Sequence, residues 1–194
     1  MTNLAPIALF VYNRIDHVQK TLKYLSNNFL ASESDLYIFS DGAKTSSDID
    51  SVNQVRNFCS NIKNFNSVSN INRDNNYGLA KSLVRGISEV LEKNEKLIVL
   101  EDDLLTDKFF LKYMNEALEK YQKYNEVISI HGYLYPLKNK NNKTFFLKGA
   151  DCWGWGTWKR GWDYYTEDSN FLYNKITKNN KQREFNFNDS YNYL

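Results

Sequence analysis

Three adjacent carboxylates, Glu101, Asp102 and Asp103, follow four consecutive apolar residues, Leu97–Leu100. The apolar run reads as a strand buried on both faces, as in a parallel sheet. The carboxylates then stand at its C-terminal end, which is where open α/β sheets bind ligands. Three like charges in sequence repel one another and call for a counter-charge. A hard divalent cation such as Mg²⁺ or Mn²⁺, shared with a phosphate, would supply it. The competing structural reading is that the triplet only leads into a helix opening at Thr106 or Asp107, where acidic residues favour the first turn.

Two further strand ends carry residues of ligand type. Asn13 and Arg14 follow the apolar run Pro6–Tyr12, and Asp41 follows Leu36–Ser40. An arginine can hold a diphosphate through charge-assisted, often bidentate contacts. An aspartate can accept from the imide N–H of uracil. Each also has a structural reading, Arg14 as a helix-start surface residue and Asp41 as a turn residue beside Gly42.

The elements that must position these residues alternate. Strands are expected at 6–12, 36–40, 68–71, 97–100 and 127–135. Helices are expected at 15–28, 48–62, 79–91 and 109–121, each with apolar residues at helical spacing, as at Leu79, Leu83, Ile87, Val90 and Leu91. Phe145–Leu147 is expected as a further short strand. The block Asp151–Trp162, D-C-W-G-W-G-T-W-K-R-G-W, is rich in Trp and Gly, and the tail from Asn174 shows no core element. Alternation of this kind predicts an α/β fold with a mainly parallel sheet and helices on both faces. In such a sheet, all three polar strand ends lie on one edge.

Composition limits the function classes. With 194 residues, 42% of them hydrophobic, the chain can bury one sizeable core. A net charge of +2 gives no electrostatic footprint for nucleic acid. The two cysteines, Cys59 and Cys152, are too few for a disulfide framework and lack zinc-ligand spacing. No apolar run reaches transmembrane length and no secretory signal opens the chain. The expected location is cytoplasmic, with peripheral attachment to an inner membrane allowed.

The pieces P-I-A-L-F-V-Y-N-R, F-S-D-G, N-Y-G-L-A-K-S-L, L-I-V-L-E-D-D and W-G-W-G-T-W occur in this order over residues 6–158. Together they resemble the GT-A glycosyltransferases, close to the family-two enzymes and the inverting N-acetylglucosaminyltransferases of the Golgi. The E-D-D is similar to that family's acidic DXD motif. The resemblance implies a Rossmann-like GT-A fold and an inverting, metal-dependent transfer of a sugar from a UDP-sugar. The acceptor it implies is a glycan or lipid-linked acceptor, in a context such as bacterial surface polysaccharide.

By position, the resemblance implies that Arg14 contacts the donor diphosphate and Asp41 the uracil. Asp103 would ligate Mn²⁺ or Mg²⁺, and Glu101 and Asp102 would meet the donor sugar and ribose. Lys81 falls where the family places donor contacts, although it also reads as a helix-surface lysine. Trp153 and Trp155 are acceptor-side candidates because aromatic faces suit sugar rings; buried Trp packing is the alternative. Asp151 is a candidate acceptor contact or a solvated loop carboxylate. His131, on an apolar strand, reads as a core histidine.

The departure from the family is the general base, which inverting transfer requires. Glu167 and Asp168 do not match its motif. The chain is therefore expected to be one GT-A-like domain, truncated at its C-terminus, with a donor-binding part at 1–105 and an acceptor-side part at 106–194. Two rivals follow. A sugar-phosphate nucleotidyltransferase would carry a Gly-rich loop after the first strand, which N-R-I-D-H lacks. A non-catalytic module binding nucleotide-sugar or glycan would need no base.

Overall fold

The computed structural model describes residues 4–136 and 144–193. The chain divides into two compact units, the first ending at Asp163 and the second starting at Tyr164.

The first unit is built on strand β1, Ile7–Val11, whose five residues are all buried. Its two faces explain the layers. Ile7, Leu9 and Val11 join one core cluster with residues of α1 (Ile15–Ser26), α2 (Ile49–Cys59) and α4 (Phe110–Lys120). Ala8 and Phe10, on the alternate face, join a second cluster with Ile87, Val90 and Leu91 of α3 (Leu79–Leu91). The sheet is thus covered by helices on both faces, as the alternation predicts.

β1 pairs in parallel with β2 (Asp35–Ser40) on one side and with β4 (Lys96–Glu101) on the other; β2 pairs in parallel with β3 (Ser67–Asn72). Two more strands complete the order β3-β2-β1-β4-β6-β5. β6 is Trp155–Trp158 and β5 is Ser129–His131; β6 runs antiparallel to both β4 and β5. The fold class is as expected, a mixed α/β structure with a mostly parallel sheet.

Three local expectations change. The Trp/Gly block contributes a strand, and its glycine is required there. A Cβ on Gly156 would lie 3.0 Å from the Leu97 carbonyl oxygen and 3.1 Å from the Met114 methyl carbon. Trp158 is core, 2% exposed, and donates from Nε1 to the Leu118 carbonyl at 3.2 Å. The strand expected over 127–135 shrinks to three residues. Past His131 the chain crosses the Phe110 ring so closely that a Cβ on Gly132 would be 2.4 Å from Cε2. Phe145–Leu147 forms no strand and is exposed.

The first unit closes with the short helix α5 (Lys159–Trp162); the second holds α6 (Ser169–Lys178), capped where the Phe171 N–H donates to Asp168 at 2.8 Å, and α7 (Gln182–Phe185). Neither α6 nor α7 has a buried residue, so the tail is helical but, as its composition suggests, coreless. Among the described residues no helix is long and apolar enough to cross a membrane.

Candidate active site at the carboxyl edge of the sheet

The chain leaves β1 through α1, which lies on one face of the sheet, and enters β4 from α3, which lies on the other. Between β1 and β4 the strand order therefore reverses, and such a switch point opens a crevice outside the strands' carboxyl ends. In register, Phe10 faces Glu101, so the residues that follow the two strands meet. Arg14 donates from Nη2 to Asp102 Oδ1 in an ion pair, from Nε to Asp102 Oδ2 at 3.4 Å, and from Nη2 to Asp103 Oδ2 at 3.2 Å.

The three carboxylates differ sharply. The Asp102 side chain is only 5% exposed, whereas those of Asp103 and Arg14 are 44% and 47% exposed. Thr21 of α1 fixes the local backbone by donating from Oγ1 to the Asp102 carbonyl at 2.7 Å. Burial pushes the Asp102 carboxyl above its ordinary pKa, with the Arg14 hydrogen bond and charge acting against that. Burial also raises Glu101, and the charges of Asp103 and Asp102 add to it. Hydrogen bonding to Asp102 raises Arg14 in turn, against the lowering effect of burial. Among the described residues no three His, Cys, Asp or Glu side chains are grouped to hold a metal ion. The donor set instead offers Asp103 as the most exposed carboxylate of the triplet. That suits a hard cation that keeps its waters and is shared with substrate phosphates.

Asp41 is a clamp. It is 6% exposed, and its carboxylate accepts from the N–H groups of Gly42 (3.1 Å), Tyr77 (2.9 and 3.1 Å) and Gly78 (2.9 Å). Three backbone donors, one of them shared between the two oxygens, thus engage most of the roughly four acceptor positions of the carboxylate. The group ties the end of β2 to the turn that starts α3. The uracil contact expected of Asp41 would need an acceptor position that these backbone donors do not occupy.

Arg56 of α2, which the sequence reading passed over, reinforces the tie by donating to the carbonyls of Asp41 (3.2 Å) and Arg73 (2.7 Å). Gly42 lies directly under the same loop. A Cβ there would stand 2.4 Å from the Asn75 carbonyl carbon and 2.8 Å from the Asn76 nitrogen. Because both are backbone atoms, Gly42→Ala is expected to cost about 1–3 kcal/mol of stability. Urea denaturation checks this; a midpoint equal to wild type would show that the loop can move aside freely.

Lys81 is exposed on the first turn of α3, and its Nζ stands 5.8 Å from the centre of the Tyr77 ring. Arg85 stacks on the same ring at 4.4 Å, and Arg73 approaches it at 5.9 Å while pairing with both oxygens of Glu89. The i, i+4 spacing of Tyr77, Lys81 and Arg85 was the available signal for this basic cluster.

On the other side of Asp103 opens a cleft of about 500 Å³. Leu104, Phe110 and Tyr113 line it with Asp103, opposite Tyr133 and Trp153. Trp153 is 43% exposed, and its ring centre lies 4.8 Å from that of Tyr133 and 5.6 Å from that of Tyr135. Asp151 orients this tryptophan by accepting its backbone N–H at 3.0 Å. Trp155 does not line the cleft. It packs against the α3-side core, 6.3 Å from Trp162. His131 has its Nε2 2.8 Å from Ser129 Oγ, and burial lowers its pKa.

No family model and no curated protein matches the sequence. Solved structures do match. The crystal structure of S. aureus TarS 1-349 is similar over 91% of this chain and 49% of that one, with a TM-score of 0.51 and 12% identity. A second S. aureus TarS crystal structure gives a TM-score of 0.44 at 16% identity, over 61% of this chain and 20% of that one. The mannosyltransferase PcManGT from Pyrobaculum calidifontis, in complex with GDP-Man and Mn²⁺, gives 0.44 at 11% identity, over 66% and 37%. This chain thus spans half or less of each of those chains. At such identities the likeness is one of fold alone, the mixed α/β fold with a mostly parallel sheet shared with TarS 1-349.

Proposed function

We propose that this chain carries the nucleotide-sugar site of a metal-dependent, inverting glycosyltransferase that uses a UDP-sugar and a glycan or lipid-linked acceptor. The observation that carries this reading is the position of Asp103. It stands at the switch point beside Arg14 and also lines the aromatic cleft, so one carboxylate borders both a charged site and a sugar-sized apolar one. The mixed α/β fold supports it, as does the resemblance of the sequence motifs to the GT-A glycosyltransferases.

In this reading Arg14 and the Lys81/Arg85 cluster offer positive charge to the donor diphosphate. Asp41 shapes the base pocket by holding the Tyr77–Gly78 turn. Glu101, half-buried behind Asp103, faces the donor sugar, with Asp102 behind Arg14. Asp103 would hold Mn²⁺ or Mg²⁺, which when bound supplies neutralising charge to the leaving diphosphate. Trp153 and Tyr133 give the acceptor a stacking wall, and Asp151 sets the angle of that wall.

A second reading is a non-catalytic binding module. One observation favours it: the other carboxylate lining the cleft, Asp107, already accepts the Phe109 N–H at 2.9 Å, so the general base is not evident there. Slow Mn²⁺-dependent release of sugar from a donor separates an enzyme from a binding module.

The direct test is thermal unfolding with a panel of UDP- and GDP-sugars, with Mn²⁺ or with EDTA. A donor at a hundred times its Kd stabilises by about 2.7 kcal/mol, which moves Tm by roughly 5–10 °C for a chain of this size. UDP-sugars are expected to give that shift with Mn²⁺ and to lose most of it with EDTA. No shift with any nucleotide-sugar in Mn²⁺ would overturn the reading.

A further inference from the structure

We infer that Arg14 is the resident counter-cation of the acidic strand end, exchanged at Asp103 for a divalent cation when donor binds. Asp102 is the positioning residue that keeps the guanidinium tethered throughout. This role presupposes the donor site proposed above and concerns how that site is switched.

The geometry makes the exchange one-sided. One nitrogen, Nη2, serves both carboxylates, while Nε adds a second bond to Asp102 alone. The Asp103 contact is the weaker half. It is a single bond to a side chain 44% exposed, where water and salt compete freely. The Asp102 contact is two-pronged and ends on a carboxylate only 5% exposed, and a buried charge stripped of its partner is strongly destabilised.

A cation approaching Asp103 therefore displaces Arg14 from Asp103 and not from Asp102. The guanidinium then pivots about its tether with the donors that faced Asp103 released, next to where the diphosphate would lie. Charge balance points the same way. One guanidinium against three carboxylates leaves two negative charges unmatched, and a divalent cation matches two. Thr21 completes the device by fixing the Asp102 backbone, so that the tether does not follow the pivot.

Two consequences of opposite sign follow. Arg14 should oppose metal binding when no nucleotide is present, and favour nucleotide diphosphate when no metal is present. A residue that only maintains the fold would produce neither opposition.

The experiment uses the whole chain and two probes, MnCl₂ alone followed by electron paramagnetic resonance, and UDP in EDTA followed by calorimetry. Arg14→Gln is expected to tighten Mn²⁺ binding about fivefold, the equivalent of one exposed ion pair. It is expected to weaken UDP binding about tenfold, the scale of a lost charged hydrogen bond. Arg14→Lys keeps a charge beside Asp102 on a shorter side chain without the Nε donor, so its hold on Asp103 weakens. It should fold where the glutamine variant does not, and tighten Mn²⁺ in the same direction.

Asp102→Asn frees the guanidinium to settle on Asp103 and should weaken Mn²⁺ binding; adding Arg14→Gln should restore it. A metal-ligand role for Asp102 would give no restoration. Mn²⁺ binding that is unchanged or weaker in both Arg14 variants, or is undetectable in every variant, overturns the inference. If no UDP or UDP-sugar binds the wild-type chain, the donor-site reading fails, while the Mn²⁺ comparison still reports the competition by itself.

Discussion

Asp103→Ala is expected to remove the Mn²⁺-dependent part of UDP binding and to lower any donor turnover by about 100–1,000-fold. Metal charge stabilisation of a leaving group is worth several kcal/mol, and each 1.36 kcal/mol is about tenfold in rate. The structure separates this loss from unfolding. The Asp103 side chain is 44% exposed, and its ion pair is with an equally exposed Arg14, so deleting it should change stability by no more than about 1 kcal/mol.

Arg14 keeps its two bonds to Asp102 in the variant, so the buried carboxylate is not orphaned. Binding and stability should therefore part company: UDP affinity measured by calorimetry loses its dependence on Mn²⁺, while the urea midpoint stays near wild type. Equal UDP affinity in wild type and variant with Mn²⁺ present, or affinity indifferent to EDTA in the wild type, would remove Asp103 from the metal role. The contrast with Asp102 is the control. That side chain is 5% exposed and is read as a tether, so its replacement should disturb Arg14 first.

Much of this architecture was legible because period and burial agree. Leu97–Leu100 is apolar at every position, and the strand it forms is covered on both faces by helices. The helix expected over 79–91 forms over those residues, since Ile87, Val90 and Leu91 share a face and Gly78 precedes the first turn at φ 74°. β6 was not legible. It has four residues, one of them Gly, and exists because its partners on β4 and β5 flank it from 56 or more and 24 or more residues away in the chain.

The site divides the same way. Acidic and basic strand ends can be read locally, but which of them meet cannot. Nothing in the sequence says that Arg14 finds Asp102 across 88 positions, leaving Asp103 as the most exposed carboxylate of the triplet. Tyr133 and Tyr113 were seen only as strand and helix residues, because a cleft wall is a property of packing between elements. Acceptor stacking and buried packing could both be named for the tryptophans, but the assignment of Trp153 to the cleft and Trp158 to the core depends on the register of β6.

The second large effect is expected of Asp41→Ala, for a reason that also comes from long-range pairing. Its carboxylate gathers N–H groups from its own neighbour and from two residues 36 and 37 positions on. Removing it leaves the Tyr77 and Gly78 donors without that acceptor, at about 1–3 kcal/mol for each group left unsatisfied. A total loss of about 3–5 kcal/mol is expected, a large share of the 5–15 kcal/mol typical of a domain. Asp41→Asn keeps one carbonyl oxygen and should lose roughly half as much, since it retains an acceptor but not the charge that strengthens these bonds.

The damage should also be directional. Tyr77 is the platform on which Arg85 and Lys81 rest, so a released turn unseats the basic cluster and weakens nucleotide binding beyond the loss of stability. Urea denaturation gives the energy, and amide hydrogen exchange shows its location. Tyr77 and Gly78 should lose protection before β2 does. A loss below about 1 kcal/mol with both amides still protected would mean that the turn is held instead by Asn76, which donates to the Gly42 carbonyl at 2.8 Å, and by Arg56 on the Arg73 carbonyl. Asp41 would then be left with its contact to Gly42 and free to face a ligand.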